Sequence, residues 1–564
     1  MAMAFSAPGL ARRIPYTRSP LLFCIRKARL QSSVAIRFAA ESGILCKEED
    51  KDCISFALRR KEEIERTDSS IPQWKTLSSE DVGIDTSMIS KPTRLVLNGL
   101  RKQGYEVYLV GGCVRDLVLR RIPKDFDIIT SAQLKEVRKI FTRSLIVGKR
   151  FPICHVYVLN TIIEVSSFST SGSRNGFNNY ITKPSNLNEP DYIRWKNCSQ
   201  RDFTINSLMY DPYKKIVYDY LGAMEDIRKS KVRTIKPANL SFTEDCARIL
   251  RAVRIAARLG FCFTRDIALS IKELSCSVLK LDKVSAIPAN YGFDISLGQF
   301  SIYLLILQGR ILMEMNYMLA FGSAEASLRL LWRFGLLEIL LPIQASYFVS
   351  QGFRRRDASS NMLLILLSNL DKFVAPNRPC HSSLWIALLA FHKALVDQPQ
   401  DPVVVAAFSL AVHSGGSLYE AIEIAQNISQ PHASFHEIVE SNHKESDYSL
   451  LEQVVDLAVS VDAVICKMTN KQYVSQAMIK YPQAPWSDLV FIPQALSMRV
   501  RAIFGCVRSN ERGPIPKRSR TINHDSLAMG ILPEVRHVFA RIVFDTVFPR
   551  KQNGQFNNVE PTKR

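Results

Sequence analysis

Two short patterns, about ten residues apart, have residue types that could handle phosphate. The first is Gly111-Gly112, which ends the apolar run Glu106 to Val110 and precedes helix-like spacing. A strand, a tight glycine turn and a helix start bring backbone N–H groups close to an anion. Arg115, in the first turn of that helix, could add a forked charge-assisted contact. The second is Lys124-Asp125-Phe126-Asp127-Ile128-Ile129. On a strand, Asp125 and Asp127 share one face and Phe126 takes the other. Two carboxylates so placed repel each other unless a cation lies between them. Hard oxygen donors with room for phosphate suit Mg²⁺, and a pair of such ions can clamp both oxygens of a phosphoryl transfer.

The elements around these residues follow from periodicity. Leu95, Val96, Leu97 and Leu100 predict a helix over 90–103 leading into the glycine-ended strand. Thr130-Ser131-Ala132-Gln133 has the spacing of a capping box for a helix running to Phe141. His155 to Leu159 and Ile162 to Phe168 read as two strands turning at Asn160-Thr161. Glu164 puts an acid into the second of these apolar runs. It needs a cation, a salt-bridge partner or solvent.

Joined at this spacing, the two patterns resemble the signature of the nucleotidyltransferases related to DNA polymerase β. Within that group they look like the bacterial poly(A) polymerase and CCA-adding enzyme family, the class II tRNA nucleotidyltransferases. Three further stretches carry the resemblance. Gln200-Arg201-Asp202-Phe203-Thr204-Ile205-Asn206 is similar to the family's Arg-Arg-Asp-Phe-Thr-Ile-Asn, with Gln200 replacing the first Arg. Glu244-Asp245-Cys246-Ala247-Arg248 matches Glu-Asp-x-x-Arg, without the Pro that follows Glu-Asp elsewhere. Read as one helix, this stretch puts Glu244 and Arg248 at i,i+4 on a shared face. Arg310 and Glu314 fit an Arg-x-x-x-Glu turn that braces this base-reading segment.

The resemblance implies an α+β fold: a small nucleotidyltransferase head with a mixed β-sheet, then an all-helical neck, body and tail. It implies transfer of AMP from ATP to an RNA 3′-hydroxyl with release of pyrophosphate. Asp125 and Asp127 would hold two Mg²⁺ ions, and Asp202 and Glu164 complete the catalytic set. Nucleotide binding falls to Gly111, Gly112, Arg115, Asp116, Arg201, Asp202, Asn206, Glu244, Asp245, Arg248 and Arg251. In this scheme Arg201 and Asp202 hold sugar and phosphates, while Glu244, Asp245 and Arg248 read the incoming base.

Poly(A) polymerases and CCA-adding enzymes share nearly all these residues. Leu145-Ile146-Val147-Gly148-Lys149-Arg150-Phe151 resembles the poly(A) polymerase signature of aliphatics, Gly, two basics and Phe. Polyadenylation is therefore the expected activity, CCA addition to tRNA the close alternative, and a non-catalytic RNA-binding protein of the same fold the alternative of another class.

The rest of the chain fits this frame. It has 564 residues, 47% hydrophobic and 23% charged, enough for several domains. The formal charge of +21 favours a polyanionic partner, RNA being the expected one. Twelve scattered cysteines lack zinc spacing and point to a reduced compartment. No apolar run is long enough to span a bilayer: the one near Ile302 to Leu312 is broken by Gln308 and Arg310.

Residues 1–40 are acid-free, with Arg12, Arg13, Arg18, Arg26, Lys27, Arg29 and Arg37 among Ser, Ala and Leu. That is the composition of a mitochondrial or chloroplast transit peptide. The expected domains are that segment, a linker over 41–89, a head over 90–235 and a nucleotide-reading, RNA-binding helical domain over 236–345. A helical body over 346–500 and a basic tail over 501–564 follow. Residues 284–308 fit neither the helix pattern nor the family and read as a locally disordered insertion.

Overall fold

The computed structural model describes residues 75–148, 152–171, 187–281, 309–441, 446–481, 492–509 and 521–549. The chain divides into two units, 1–71 and 72–564, and all described residues lie in the second. The expected transit peptide, the whole of the 284–308 insertion and the Lys149-Arg150-Phe151 part of the signature fall outside the described residues.

The head is built on an eight-stranded sheet of order β1-β8-β7-β2-β3-β6-β5-β4. In chain order its strands are β1 (Lys75–Ser78), β2 (Val107–Val110), β3 (Asp127–Thr130), β4 (Ser144–Val147), β5 (Ile153–Val158), β6 (Thr161–Ser167), β7 (Met209–Asp211) and β8 (Ile216–Asp219). β2 is buried along its whole length, as expected of an apolar central strand. The β3–β6 pair is parallel and sets Asp127 opposite Glu164, and the remaining pairs are antiparallel, so the sheet is mixed. The β5–β6 turn is Leu159-Asn160, one residue earlier than expected, with φ of 48° and 61°. Two consecutive left-handed residues match the twist of a tight hairpin.

Helix α1 (Lys91–Lys102) takes Ser90 as N-cap and buries Val96, Leu97 and Leu100, as its periodicity predicts. α2 (Gly112–Val118) follows the glycine turn. α3 (Leu134–Ile140) corrects the expected capping box: Gln133 is the N-cap, and its backbone N–H donates to Glu136 Oε2 at 2.7 Å. Thr130 Oγ1 instead accepts from Ala132 N and donates to Glu106 O, tying two strand ends together.

The described chain continues with α4 (Glu189–Cys198), α5 (Ala223–Arg228), β9 (Lys231–Val232), α6 (Ala238–Glu244), α7 (Ala247–Leu259), β10 (Cys262–Phe263) and α8 (Arg265–Leu274). The expected single helix through Glu244 and Arg248 is in fact two. Asp245 is extended at φ −149° and ends α6, and its carboxylate accepts from Ala247 N at 3.1 Å to start α7. A short polar residue that caps a neighbouring N–H competes with helix continuation.

The helical part continues as α9 (Arg310–Leu319), α10 (Ala324–Arg333), α11 (Leu337–Leu340), α12 (Pro342–Ser350), α13 (Met362–Phe373), α14 (Ser382–Asp397), α15 (Pro402–Ser414), α16 (Leu418–Gln426), α17 (Asp447–Thr469), α18 (Lys471–Ile479), α19 (Gln494–Ser509), α20 (His524–Met529) and α21 (Leu532–Val547).

Two expected domain limits need correction. The linker over 41–89 contains β1, paired Lys75 to Asp219 at the sheet edge, and the buried Ile84 and Ile89. A four-residue edge strand has too little periodicity to announce itself. The basic tail over 501–564 contains core helices. Phe504 of α19 and Phe539 of α21 pack at 5.2 Å, and Phe391 of α14 and Phe408 of α15 complete a buried four-ring cluster. The charges on α19 are engaged too, Arg501 and Arg508 both lying within 3.4 Å of Asp462 on α17.

Candidate active site

β2 and β3 pair Val110 with Asp127, so the glycine turn and the carboxylate strand end side by side. Gly111 has φ +81°, and a Cβ there would lie 3.1 Å from Arg201 Nη1 and 3.4 Å from Asp127 Oδ2. Backbone conformation and the close approach of both side chains each demand glycine at this position. Asp127 opens β3, while Asp125 precedes the strand, its side chain 73% exposed. Glu164 lies opposite Asp127 in the parallel register.

Burial and neighbouring acids raise two of these carboxylates, Asp127 and Glu164. Burial pushes Asp127 up to about 6, with Glu164 and Asp125 adding to the rise and Arg201 opposing it. Glu164 is raised by burial and then by Asp125. The open choice for Glu164 also narrows: its ion-pair neighbour is His155 Nε2 at 3.7 Å, and burial lowers that imidazole's pKa, leaving it neutral at pH 7. Glu164 thus contributes charge to the carboxylate cluster without a cationic partner in His155.

The other wall is heavily paired. Asp202 Oδ2 accepts from Arg251 Nε at 2.9 Å and Nη2 at 2.7 Å. Its Oδ1 accepts from Asn206 Nδ2 at 3.0 Å and Phe203 N at 2.9 Å. Burial raises the Asp202 carboxyl, but Arg251 and these hydrogen bonds more than offset it and hold it down at about 2. Asn206 Oδ1 in turn accepts from Arg115 Nη1 at 2.6 Å, and Arg115 grips Asp116 Oδ1 through Nε and Nη2. Asp116 Oδ2 meets Arg258 at 3.6 Å. Arg251 and Arg258 are both on α7, so the chain of contacts closes into a ring that fixes α7 to the glycine turn.

That ring corrects the expected roles of Arg115 and Asp116. Both are buried behind the turn, and the Arg115 fork closes on its own neighbour. A buried guanidinium needs acceptors, and protein carboxylates supply them here.

Between the walls lies a cleft of ≈ 310 Å³ lined by Gly111, Gly112, Asp127, Gln200, Arg201, Asp202, Asn206, Asp245, Arg248 and Arg251. Glu244 is turned to Lys236 at 2.7 Å and to Arg248 at 3.3 Å. Arg248 Nη1 also donates to Ser241 Oγ at 2.9 Å. α9 supports α7 from outside: Glu314 meets Arg254 at 3.1 Å and Arg310 meets Asp245 at 3.7 Å. The Arg-x-x-x-Glu turn therefore touches the residues it was expected to brace.

Sequence reasoning missed Arg258, Ser241 and Lys236. Only Arg258 carried a signal, since it follows Arg251 by seven residues and so shares its helix face.

Residues 107–233 match the poly A polymerase head domain, and residues 306–348 match the probable RNA and SrmB-binding site of polymerase A. Its head and RNA-binding segments thus match the nucleotidyltransferase family that includes the bacterial poly(A) polymerases and CCA-adding enzymes. Poly(A) polymerase I of Salmonella typhimurium is 29% identical over 365 residues, which span 63% of this chain and 70% of that protein. Poly(A) polymerase I of Haemophilus influenzae is 32% identical over 286 residues, 50% of this chain and 57% of that one. The CCA-adding enzyme of Geobacillus stearothermophilus is 35% identical over 173 residues, 30% of this chain and 41% of that one. The chain is a nucleotidyltransferase enzyme by these matches, and the described helices include none long and apolar enough to cross a membrane.

Proposed function

We propose that this nucleotidyltransferase adds AMP from ATP to RNA 3′ ends without a template, as a poly(A) polymerase. The observation that carries this reading is one cleft with two unlike walls. Asp127, pushed up to about 6, stands on one side. Asp245 and Arg248 present an acceptor and donors on the other. Polyadenylation is favoured over CCA addition because the likeness to poly(A) polymerase I runs over 365 residues, against 173 for the CCA-adding enzyme.

The carboxylates fit Mg²⁺. Asp127, Asp125 and Glu164 are hard oxygen donors whose mutual repulsion calls for a cation. Among the described residues no three His, Cys, Asp or Glu side chains converge into a complete metal cage, so Asp125 and Asp127 would share the ions with phosphate oxygens. Bound there, Mg²⁺ would polarise the α-phosphate and lower the pKa of the attacking hydroxyl.

The protein's own groups do the rest. Gly111 and Gly112 leave backbone room for the triphosphate, and Arg201, beside Asp127, offers it a positive charge. Asp202 positions Arg251 on the cleft wall. Asp245 and Arg248 select the base, with Arg248 aimed by Ser241 and Glu244. The acid-free, Arg-rich composition of residues 1–40 supports delivery to a mitochondrion or chloroplast.

The test supplies the full chain with a generic RNA or a tRNA lacking its 3′ end, and with ATP alone or ATP plus CTP. Long A-tails on the generic RNA are expected. Bounded addition to tRNA that requires CTP would make this a CCA-adding enzyme, and no incorporation would make it a binding protein.

A further inference from the structure

A nucleotidyl transfer has two nucleosides to hold: the incoming one, and the one whose 3′-hydroxyl attacks. The cleft accounts for the first. The second needs a surface on the far side of the carboxylates, and α9 provides one.

Tyr317 on α9 and Phe321, in the turn just past that helix's end, set their rings 5.2 Å centre to centre, and both are partly exposed. Lys124, immediately before Asp125, spans from the head to these rings. Its Nζ lies 5.0 Å from the Tyr317 ring centre, 4.8 Å from that of Phe321 and 3.7 Å from Asp125 Oδ2. The aromatic pair is thus one lysine away from a proposed metal carboxylate. Asp125 and Glu164 both act electrostatically on the Tyr317 phenol, which places the ring in the field of the carboxylate cluster.

On the α7 side, the Arg254 guanidinium lies 5.0 Å from the Tyr317 ring centre and is held by Glu314. Arg248 and Arg254 are six residues apart on α7, about 9 Å along its axis at the usual helical rise. The same helix therefore carries the base-reading arginine at one point and supports the aromatic pair less than two turns on. Arg251, on the cleft wall, lies between them on the helix.

We propose that Tyr317 and Phe321 are the stacking platform for the terminal base of the attacking RNA strand. Lys124 is its movable cover: its flexible stem lets the ammonium leave the rings for an RNA phosphate as the base arrives. Rings stack any base, and the neighbouring cations suit a phosphodiester, so single-stranded RNA is the occupant this surface fits. The inference rests on the proposed reaction, since it names the seat of the attacking strand.

The test uses RNA ending in a 3′-deoxy-2-aminopurine nucleotide, which cannot be extended and whose fluorescence falls when its base stacks. Titration with the full-length protein should quench this probe, while the same probe eight nucleotides upstream should change much less. Tyr317→Leu and, independently, Phe321→Leu should abolish the terminal quench and raise KM for RNA about tenfold, the usual size for one lost base–ring stack. KM for ATP should stay unchanged, and Tyr317→Phe should restore both readouts. Lys124→Met should keep the quench while weakening RNA binding at low salt.

An undiminished terminal quench in both leucine variants would overturn the platform, as would a parallel rise in KM for ATP and RNA. The quench needs no turnover. Failure of the wild-type protein to add AMP would therefore sink the reaction, and failure to quench would sink the platform.

Discussion

The two walls of the cleft are charged in opposite ways. On the α7 wall every acid found has a cation: Arg251 with Asp202, Arg115 and Arg258 with Asp116, Arg254 with Glu314. On the β3 wall Asp127 and Glu164 face each other across a parallel pair, and burial and neighbouring acids raise both. The paired wall is stable as it stands and serves to position. The wall of raised carboxylates is strained until a cation arrives. The pKa values express this difference directly, Asp202 held down at about 2 and Asp127 pushed up to about 6.

If that contrast is right, equal substitutions on the two walls have opposite effects on stability. The largest effect is on activity. Asp127→Asn should cut incorporation by orders of magnitude while the metal-free protein melts no lower, because a repelled charge is removed. A clear fall in melting temperature in EDTA would show that Asp127 belongs to the paired class instead.

Asp202→Ala should act first on stability, by about 2 kcal/mol near neutral pH, from the depressed pKa. Its sign follows from linkage. The folded value lies below the unfolded one, so the contribution is present above about pH 4 and lost as pH falls towards 2. Urea midpoints of parent and variant should draw together as pH falls through 3 and converge only below about pH 2. A gap that persists there would mean that packing, not charge, is what Asp202 supplies.

Arg248→Ala sits at the cleft end of the paired wall and should change selectivity rather than chemistry. Removing a charged hydrogen-bond partner usually costs about 1–3 kcal/mol, so ATP preference over CTP, GTP and UTP should relax by that order. A uniform fall in all four kcat/KM values would place Arg248 among the phosphate or folding residues.

The smallest effect sharpens the other wall. With its pKa raised, Asp127 favours folding most below about pH 4, and that contribution is lost as pH rises to about 6. Mg²⁺ competes with the proton for the same carboxylate. The rise in melting temperature on adding Mg²⁺ should therefore be slight at pH 5, full above pH 7 and absent in Asp127→Asn. A pH-independent rise would put the ion elsewhere.

Local pattern was enough for whatever depends on neighbours in the chain. The apolar run of β2, the glycine turn, the Asp-x-Asp at β3 and the amphipathic α1 were all legible, while the mixed-sheet head with helices following was what the family resemblance implied. Chemistry-bearing types at short spacing, Asp127, Arg201, Asp202, Asp245, Arg248 and Arg251, were named from sequence, and the fold gathers them around one cleft. β1 was hidden because four residues have no period of their own and are strand only against Asp219 and its neighbours. α21 was read as tail because a helix that alternates charge with apolar residues looks the same on a surface and in a core.

The division of labour among charges lay outside what sequence can determine. Arg115 and Arg201 are both arginines beside glycine-rich or acidic stretches. One is buried against Asp116 and Asn206, and the other borders the cleft beside Asp127. An ion pair is decided by which groups share a low-dielectric site, and those groups come from segments up to 142 residues apart, as in Arg258 with Asp116. The sequence by itself determined the head, its family and the reacting residue types. Only the tertiary structure decided which charges neutralise each other and which are left to meet the substrate, because burial and long-range contact, not spacing, set the balance.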